Sequence, residues 1–436
     1  MKPLADYSFV RGFNYTQSNV WTDVNMWEEY SHEVVDRDMG YAEKLKLNSA
    51  RIFLTYSSYR KNKEQFLSNV KDFVQTAWKH GISTNPIIYH GMRLHPDDFA
   101  PRDEDFDYTA VSRTLTDPSC WVYGEEYFDD LYETIGSEPG LLFWDISNEP
   151  GYRIASGTWY DDEPDFQHEF GEKPENLEAL RERQELNWAF VRHFCKYVKK
   201  KDPVNAIGVG NTLIWETEPS GTIDDVDIIV FHDYSDIEKK LDFVCDYAKA
   251  LSEKYGKPVI NNETGCLCRA NRYDMAIQKM EQYGFGYYLF ELMIGVDVWN
   301  RVHGIVYPDG TVRDPSIVSA LFGFYRKRGE GLIPTDVDQE RYAGLAIRRA
   351  ERVLRMAKNG VSFAPGGDHS RQTEELLDAC ESIANLLEGG QLCPMDIPPT
   401  YRIAMYRKQP SPDADEIKTF LCELVSMMKR ACHLVG

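Results

Sequence analysis

Two patterns alternate through the first 330 residues. Short apolar or β-branched runs fall at 9–15 (FVRGFNY), 49–56 (SARIFLTY), 82–91 (ISTNPIIYHG), 141–150 (LLFWDISNEP), 206–212 (AIGVGNT), 227–234 (DIIVFHDY), 257–265 (KPVINNETG) and 286–295 (GYYLFELMIG). Between them lie longer stretches such as VVDRDMGYAEKLKLN, FLSNVKDFVQTAWKHG, ENLEALRERQELNWAFVRHFCKYVKKKDP and IEKKLDFVCDYAKALSEKYG. Their apolar residues recur at helical steps, as Met39, Ala42 and Leu45 do in the first of them. Apolar strands alternating with amphipathic helices predict βαβ units whose parallel strands are buried on both faces. Eight such units over about 250 residues are what a (β/α)8 barrel requires. An open doubly wound sheet has the same periodicity, but G-x-G-x-x-G after the first strand and G-x-x-x-x-G-K-[ST] are both absent.

Past residue 330 the pattern changes to helices alone. DQERYAGLAIRRAERVLRMAKN (338–359) sets Leu345, Ala346, Ala350, Val353, Leu354 and Ala357 at three- and four-residue steps. TEELLDACESIANLLEGG starts at Thr373, a candidate N-cap, and stops at a glycine pair; PDADEIKTFLCELVSMMKRACHLV opens on Pro412 and an acidic first turn. The expected architecture is therefore an α/β chain, a (β/α)8 TIM barrel over 1–328 with a C-terminal α-helical appendage over 329–436. No motif in the appendage carries chemistry.

Composition sharpens this division. The chain has 436 residues and a formal charge of −21, which argues against a polyanion as the main partner. Beyond residue 330 there are 13 Lys+Arg against 15 Asp+Glu, so the acidity belongs to the first three quarters, as do all nine tryptophans. No apolar run reaches the ~18 residues of a membrane span. Nine scattered cysteines and the lack of an apolar leader lead to the expectation of a cytoplasmic protein, or of a secreted one whose signal peptide has been removed.

In a barrel, reactive groups stand at the carboxyl ends of the strands. Those ends here carry Asn14, Arg51, His90, Asn148 and Glu149, Asn211, His232 and Tyr234, Glu263, and Glu291. One such residue would be a cap or a loop residue; together they bring carboxylates, a guanidinium, two imidazoles and a phenol to one rim. Two carboxylates facing one pocket suit glycosidic bond cleavage, one protonating the leaving oxygen and the other attacking the anomeric carbon or activating water. Their surroundings must hold the two pKa values apart, and Arg51 is placed to keep one of them ionised.

The order RGFN, Arg in SARIFLTY, His in IIYHG, Asn-Glu-Pro in WDISNEP, His-x-Tyr in FHDY and Glu in VINNETG resembles clan A glycoside hydrolases, most closely the cellulase-type family 5, over roughly residues 9–320. The resemblance implies a retaining β-glycoside hydrolase acting on β-linked, chiefly β-1,4-linked, oligo- or polysaccharides of the xylan, glucan or mannan type. It makes Glu149 the general acid/base and Glu263 the nucleophile. Asn148 would bind the sugar 2-hydroxyl, Arg51 and Tyr234 would hold the nucleophile, and His90 and His232 would line the sugar subsite. It departs at strand eight, where the family's usual Trp is replaced in YYLFELMIG. Phe290, or Trp299 further on, could supply the stacking face, and Glu291 a hydroxyl partner.

Trp21, Trp27, Trp121, Trp159 and Trp215 fall in or near the rim loops, with Trp215 the favoured sugar platform because it follows Asn211 closely. The acidic run 161–175 lacks calcium-ligand spacing, and Cys266-x-Cys268 lacks a second zinc pair. No metal or cofactor is expected, and the expected partner is an oligosaccharide or polysaccharide, with no nucleic acid and no membrane. An inactive carbohydrate-binding barrel is the rival reading, though it would predict loss of a carboxylate. A metal-dependent isomerase or an aldolase would call for ligand clusters or a strand-end Lys.

Overall fold

A computed structural model of the chain describes residues 3–96, 112–151, 177–324, 339–358, 370–389 and 397–431. The described residues divide into two compact units, Met1–Arg313 and Asp314–Gly436. The helix Pro315–Leu321, within the span 1–328 expected for the barrel, groups with the C-terminal helices.

In the first unit eight parallel strands form one sheet: β1 (Arg11–Tyr15), β2 (Ser49–Phe53), β3 (Ser83–Tyr89), β4 (Phe143–Asn148), β5 (Ala206–Gly210), β6 (Ile229–His232), β7 (Val259–Thr264) and β8 (Gly286–Leu289). Their order is β5-β4-β3-β2-β1-β8-β7-β6. The two outer strands meet through a parallel bridge between Asn211 and Phe231 and a His232 N–H that donates to the Asn211 carbonyl at 2.8 Å, so the sheet curls into a (β/α)8 barrel. All eight apolar runs contain a strand, and nearly every strand residue is buried, as expected of strands covered on both faces.

The helices between the strands have local reasons to start and stop where they do. Ser31 caps His32–Lys44 by accepting the Val34 N–H, and Asn62 caps Lys63–Lys79 by accepting that of Gln65. Glu238–Tyr255 ends at Gly256, whose φ of +65° is the left-handed turn glycine adopts most readily. Lys63–Lys79 buries Phe66, Val70, Phe73, Val74 and Ala77 along one stripe. Each large apolar side chain so buried contributes about 1.5–3 kcal/mol against exposure, which far exceeds the helix's own propensity.

The second unit is helical: Pro315–Leu321, Gln339–Lys358, Ser370–Gly389, Pro399–Arg407 and Ala414–Ala431. Its core joins Ile347 and Ala350 to Leu376, Ile383, Leu387, Phe420, Leu421 and Leu424, with the small Ala350 and Ala384 fully buried where bulkier residues would hold the helices apart. Among the described residues no helix is long and apolar enough to cross a membrane.

Candidate active site

Parallel pairing sets the level of each site residue. Asn14 on β1 lies in register with Arg51 on β2, and His232 on β6 with Glu263 on β7. Arg51 is wholly buried and uses its guanidinium fully: Nε donates to Asp145 Oδ2 at 2.9 Å, Nη1 to Glu263 Oε1 at 2.6 Å and to Asn14 Oδ1 at 3.0 Å, and Nη2 to Asn148 Oδ1 at 2.8 Å. The other Glu263 oxygen accepts from the Tyr234 hydroxyl at 2.6 Å. Burial works to raise the Glu263 pKa, but the His232 imidazole, the Arg51 guanidinium and the two hydrogen bonds outweigh it, holding this carboxyl below the ordinary glutamate range.

Asp145, which sequence reading passed over, balances the buried cation. Its Oδ2 also accepts from Asn262 at 2.9 Å and its Oδ1 from the Gly210 N–H at 2.9 Å. Gly210 is required here, because a Cβ would lie 2.9 Å from Arg51 Nη2 and 3.1 Å from Asp145 Oδ2. An acidic residue in the middle of the apolar run LLFWDISNEP was the available signal, since a lone buried carboxylate needs a partner.

Glu149 follows β4 with φ +47°, a left-handed conformation uncommon for any residue but glycine, and its N–H is tied to the Gly210 carbonyl at 2.8 Å. His232 Nδ1 lies 2.7 Å from Glu149 Oε1 and 3.2 Å from Glu263 Oε2, so one imidazole nitrogen stands between the two carboxyls. One ligating atom from each of these three residues lies within 4.8 Å of the others. They are the described residues that could surround a metal ion. Both Glu263 oxygens, however, already accept from Arg51 and Tyr234, and the guanidinium opposes a second cation at that place.

The remaining candidates separate. Trp215 is 41% exposed and, with Glu149, His232, Tyr234, Phe243 and Arg269, lines a cleft of about 740 Å³. The Arg269 guanidinium lies 4.6 Å over the Tyr234 ring. Phe290 sets its edge against Tyr234, with ring centroids 6.3 Å apart, and packs on His303. Glu291 is buried, and burial, with the charges of Asp297 and Glu263, pushes its pKa well above the ordinary glutamate range. His90 pairs with Asp23 at 3.1 Å and rests against Phe53, whose ring lies 5.4 Å from the Arg51 guanidinium.

The tryptophans divide too. Trp27 is a core residue whose indole N–H donates to the Phe53 carbonyl, and Trp121 is held by the Thr114 carbonyl, whereas Trp21 is 63% exposed. Trp159, the run 161–175 and the side chains of Cys268 and Trp299 lie outside the described residues. Cys266 is buried 3.8 Å from His303 Nε2, and burial pushes His303 down to about 4.

No family model matches the chain, and no curated protein matches it. Solved structures do share its fold. A GH5_18 structure from Bifidobacterium longum subsp. infantis superposes with a TM-score of 0.54 at 14% identity, covering 86% of this chain and 94% of that one. A GH5_18 variant from Streptomyces cattleya in complex with Manβ1-4GlcNAc gives 0.53 at 15% identity, covering 80% and 92%. An exo-β-1,4-mannosidase from Opitutaceae bacterium strain TAV5 gives 0.51 at 13% identity, covering 85% and 75%. The barrel is thus similar in fold to glycoside hydrolase family 5 structures.

Proposed function

We propose that the protein is a retaining β-glycoside hydrolase. The observation that carries this reading is the pair of carboxyls at the ends of β4 and β7, close together, with Glu263 alone gripped by a guanidinium and a phenol. Oxygens of Glu149 and Glu263 come within 4.8 Å. So near an approach fits a retaining pair, whose carboxyls stand ~5–5.5 Å apart, better than an inverting pair set ~6.5–9.5 Å apart around a water, and the carboxyl separation itself is the quantity to measure. Glu263, ionised by Arg51 and Tyr234, attacks the anomeric carbon while Glu149 gives its proton to the departing oxygen. Glu149 then takes a proton from the water that releases the sugar from Glu263.

Asn148 meets the sugar 2-hydroxyl through its amide nitrogen, because Arg51 occupies its oxygen. Trp215, exposed in the cleft beside Glu149, offers a stacking face to the leaving group, and Phe290 takes the place of the strand-eight Trp. The substrate class is β-linked oligo- or polysaccharide. The structural neighbours described with a β-mannoside ligand or mannosidase activity make β-mannosides the first to test, followed by β-glucosides and β-xylosides.

The test is a panel of aryl β-glycosides and β-1,4-oligosaccharides, assayed with the intact protein, Glu149→Ala and Glu263→Ala, with the product anomer followed by NMR. Hydrolysis with retention that both substitutions abolish on oligosaccharides supports the proposal. Inversion, or full activity in either variant, rules it out.

A further inference from the structure

Glu149 is held in its left-handed conformation, which costs a non-glycine residue on the order of 1–2 kcal/mol, by contacts from other parts of the barrel. Two are plain: the Glu149 N–H bonds to the Gly210 carbonyl, and Asn187 Nδ2 donates to the Pro150 carbonyl at 3.3 Å. The third involves a residue that neither sequence reading nor the hydrolase mechanism uses. Glu216 closes the short helix Ile214–Glu216, next to Trp215, and is only 8% exposed. Its Oε2 accepts the Leu213 N–H at 3.3 Å and the Thr212 N–H also bears on the carboxyl, while its buried Oε1 makes no close hydrogen bond among the described residues. Both oxygens face Gly151: a Cβ on that glycine would lie 2.5 Å from Oε1 and 2.8 Å from Oε2. The carboxyl is thus wedged against the chain two residues after Glu149.

We propose that Glu216 is a positioning residue for Glu149, bracing the Glu149-Pro150-Gly151 turn against the segment that carries Trp215 and so aiming the acid/base at the leaving oxygen. The proposal rests on the hydrolase reading above. A glutamate is a costly brace, since burying a carboxyl with an unpartnered oxygen is worse for stability than burying an apolar side chain of similar length. Burial and Glu149, which faces it from the end of β4, favour a neutral acid against the opposing Leu213 and Thr212 N–H groups, and Gly151 presents no side chain. Burial first, and then the Glu149 charge, push Glu216 up to about 8, so at neutral pH it presses on the turn without adding a negative charge beside the acid/base.

A brace for the acid/base differs from a general structural prop in which substrates notice its loss. A 2,4-dinitrophenyl leaving group departs without a proton, whereas a sugar needs one. Displacing Glu149 by even an ångström therefore weakens kcat/KM for oligosaccharides selectively, and the ratio of dinitrophenyl to oligosaccharide kcat/KM rises roughly 10–100-fold. That rise is expected in Glu216→Ala, and in Glu216→Asp, which withdraws the carboxyl by one methylene and serves if the alanine variant does not fold. Glu216→Gln, which keeps the length and the acceptor for Leu213, returns the ratio toward the wild-type value. A wild-type ratio in the shortened variants, or equal losses on both substrates, overturns the role of Glu216 alone. Absence of any wild-type hydrolysis across the glycoside panel overturns the hydrolase reading and this role together.

Discussion

Glu263 and Glu149 share one imidazole, yet the two sides of the site are built differently. Around Glu263 every contact supplies a donor or a positive charge: Arg51 on one oxygen, Tyr234 on the other, and behind Arg51 a buried shell of Asp145, Asn14, Asn148 and Asn262. Around Glu149 the support is a backbone turn, with Gly210 on its N–H, Asn187 on the next carbonyl and Glu216 against Gly151. One side fixes a charge; the other fixes a direction. The difference follows from the chemistry proposed: a nucleophile must be ionised when it attacks and again when it leaves, never protonated, whereas an acid/base must change its protonation twice, so its aim is built more rigidly than its charge.

The sharpest way to break the comparison is Glu263→Ala, which is expected to lower kcat on every glycoside by roughly 10⁴-fold or more, as removal of a nucleophile does. Initial rates on a dinitrophenyl glycoside check it, since that substrate needs no acid. Arg51→Met comes next. It leaves Asp145 and Glu263 buried without their counter-ion, and breaking a buried pair from one side costs roughly 3–5 kcal/mol. Chemical denaturation should show that loss, together with loss of activity.

Glu149→Ala is expected to reduce oligosaccharide hydrolysis by roughly 10²–10⁴-fold while sparing the dinitrophenyl kcat/KM far more, which separates it from the Glu263 variant. Tyr234→Phe removes one hydrogen bond to a charged group, about 1.5–3 kcal/mol, and so raises the Glu263 pKa toward the ordinary glutamate range. Because Glu263 must be ionised to attack, the acidic limb of the kcat/KM profile moves to higher pH.

The smallest effect is on stability. Folding raises the Glu216 pKa to about 8, so between its unfolded value and that pH the folded protein holds a proton the unfolded chain has released. Stability from this group therefore falls as pH rises through that window. Glu216→Gln removes the dependence, and melting temperatures measured from pH 4 to 9 should show the variant gaining on the wild type by a few degrees toward the alkaline end.

Much of this site was legible before any coordinates. Parallel strands all point the same way, so polar residues that end apolar runs must collect on one rim once the strands close; that rule gathers Arg51, Asn148, Glu149, His232, Tyr234 and Glu263 along with other strand-end residues, and only the family resemblance gave them roles. Trp215 was legible for the same reason, as an aromatic just beyond a strand end. The rule cannot tell which rim residues touch. His90 and His232 look alike in the sequence, but one pairs with Asp23 beside Phe53 and the other stands between the two carboxyls. Nor does it reach inside a strand or out along a loop. Asp145 points into the barrel from the middle of β4 to meet Arg51, and Glu216 sits in what resembles an ordinary acidic surface stretch, WETEPS.

What the amino-acid sequence determined by itself is the set of elements and the end of the barrel on which the chemistry lies, because periodicity and strand direction are local properties of the chain. What the tertiary structure alone decided is the pairing: Arg51 with Asp145 and Glu263, His232 with Glu149, Glu216 with Gly151. Each joins strands or loops far apart in the chain, and their meeting depends on the register and curvature with which eight strands close, which no local pattern encodes.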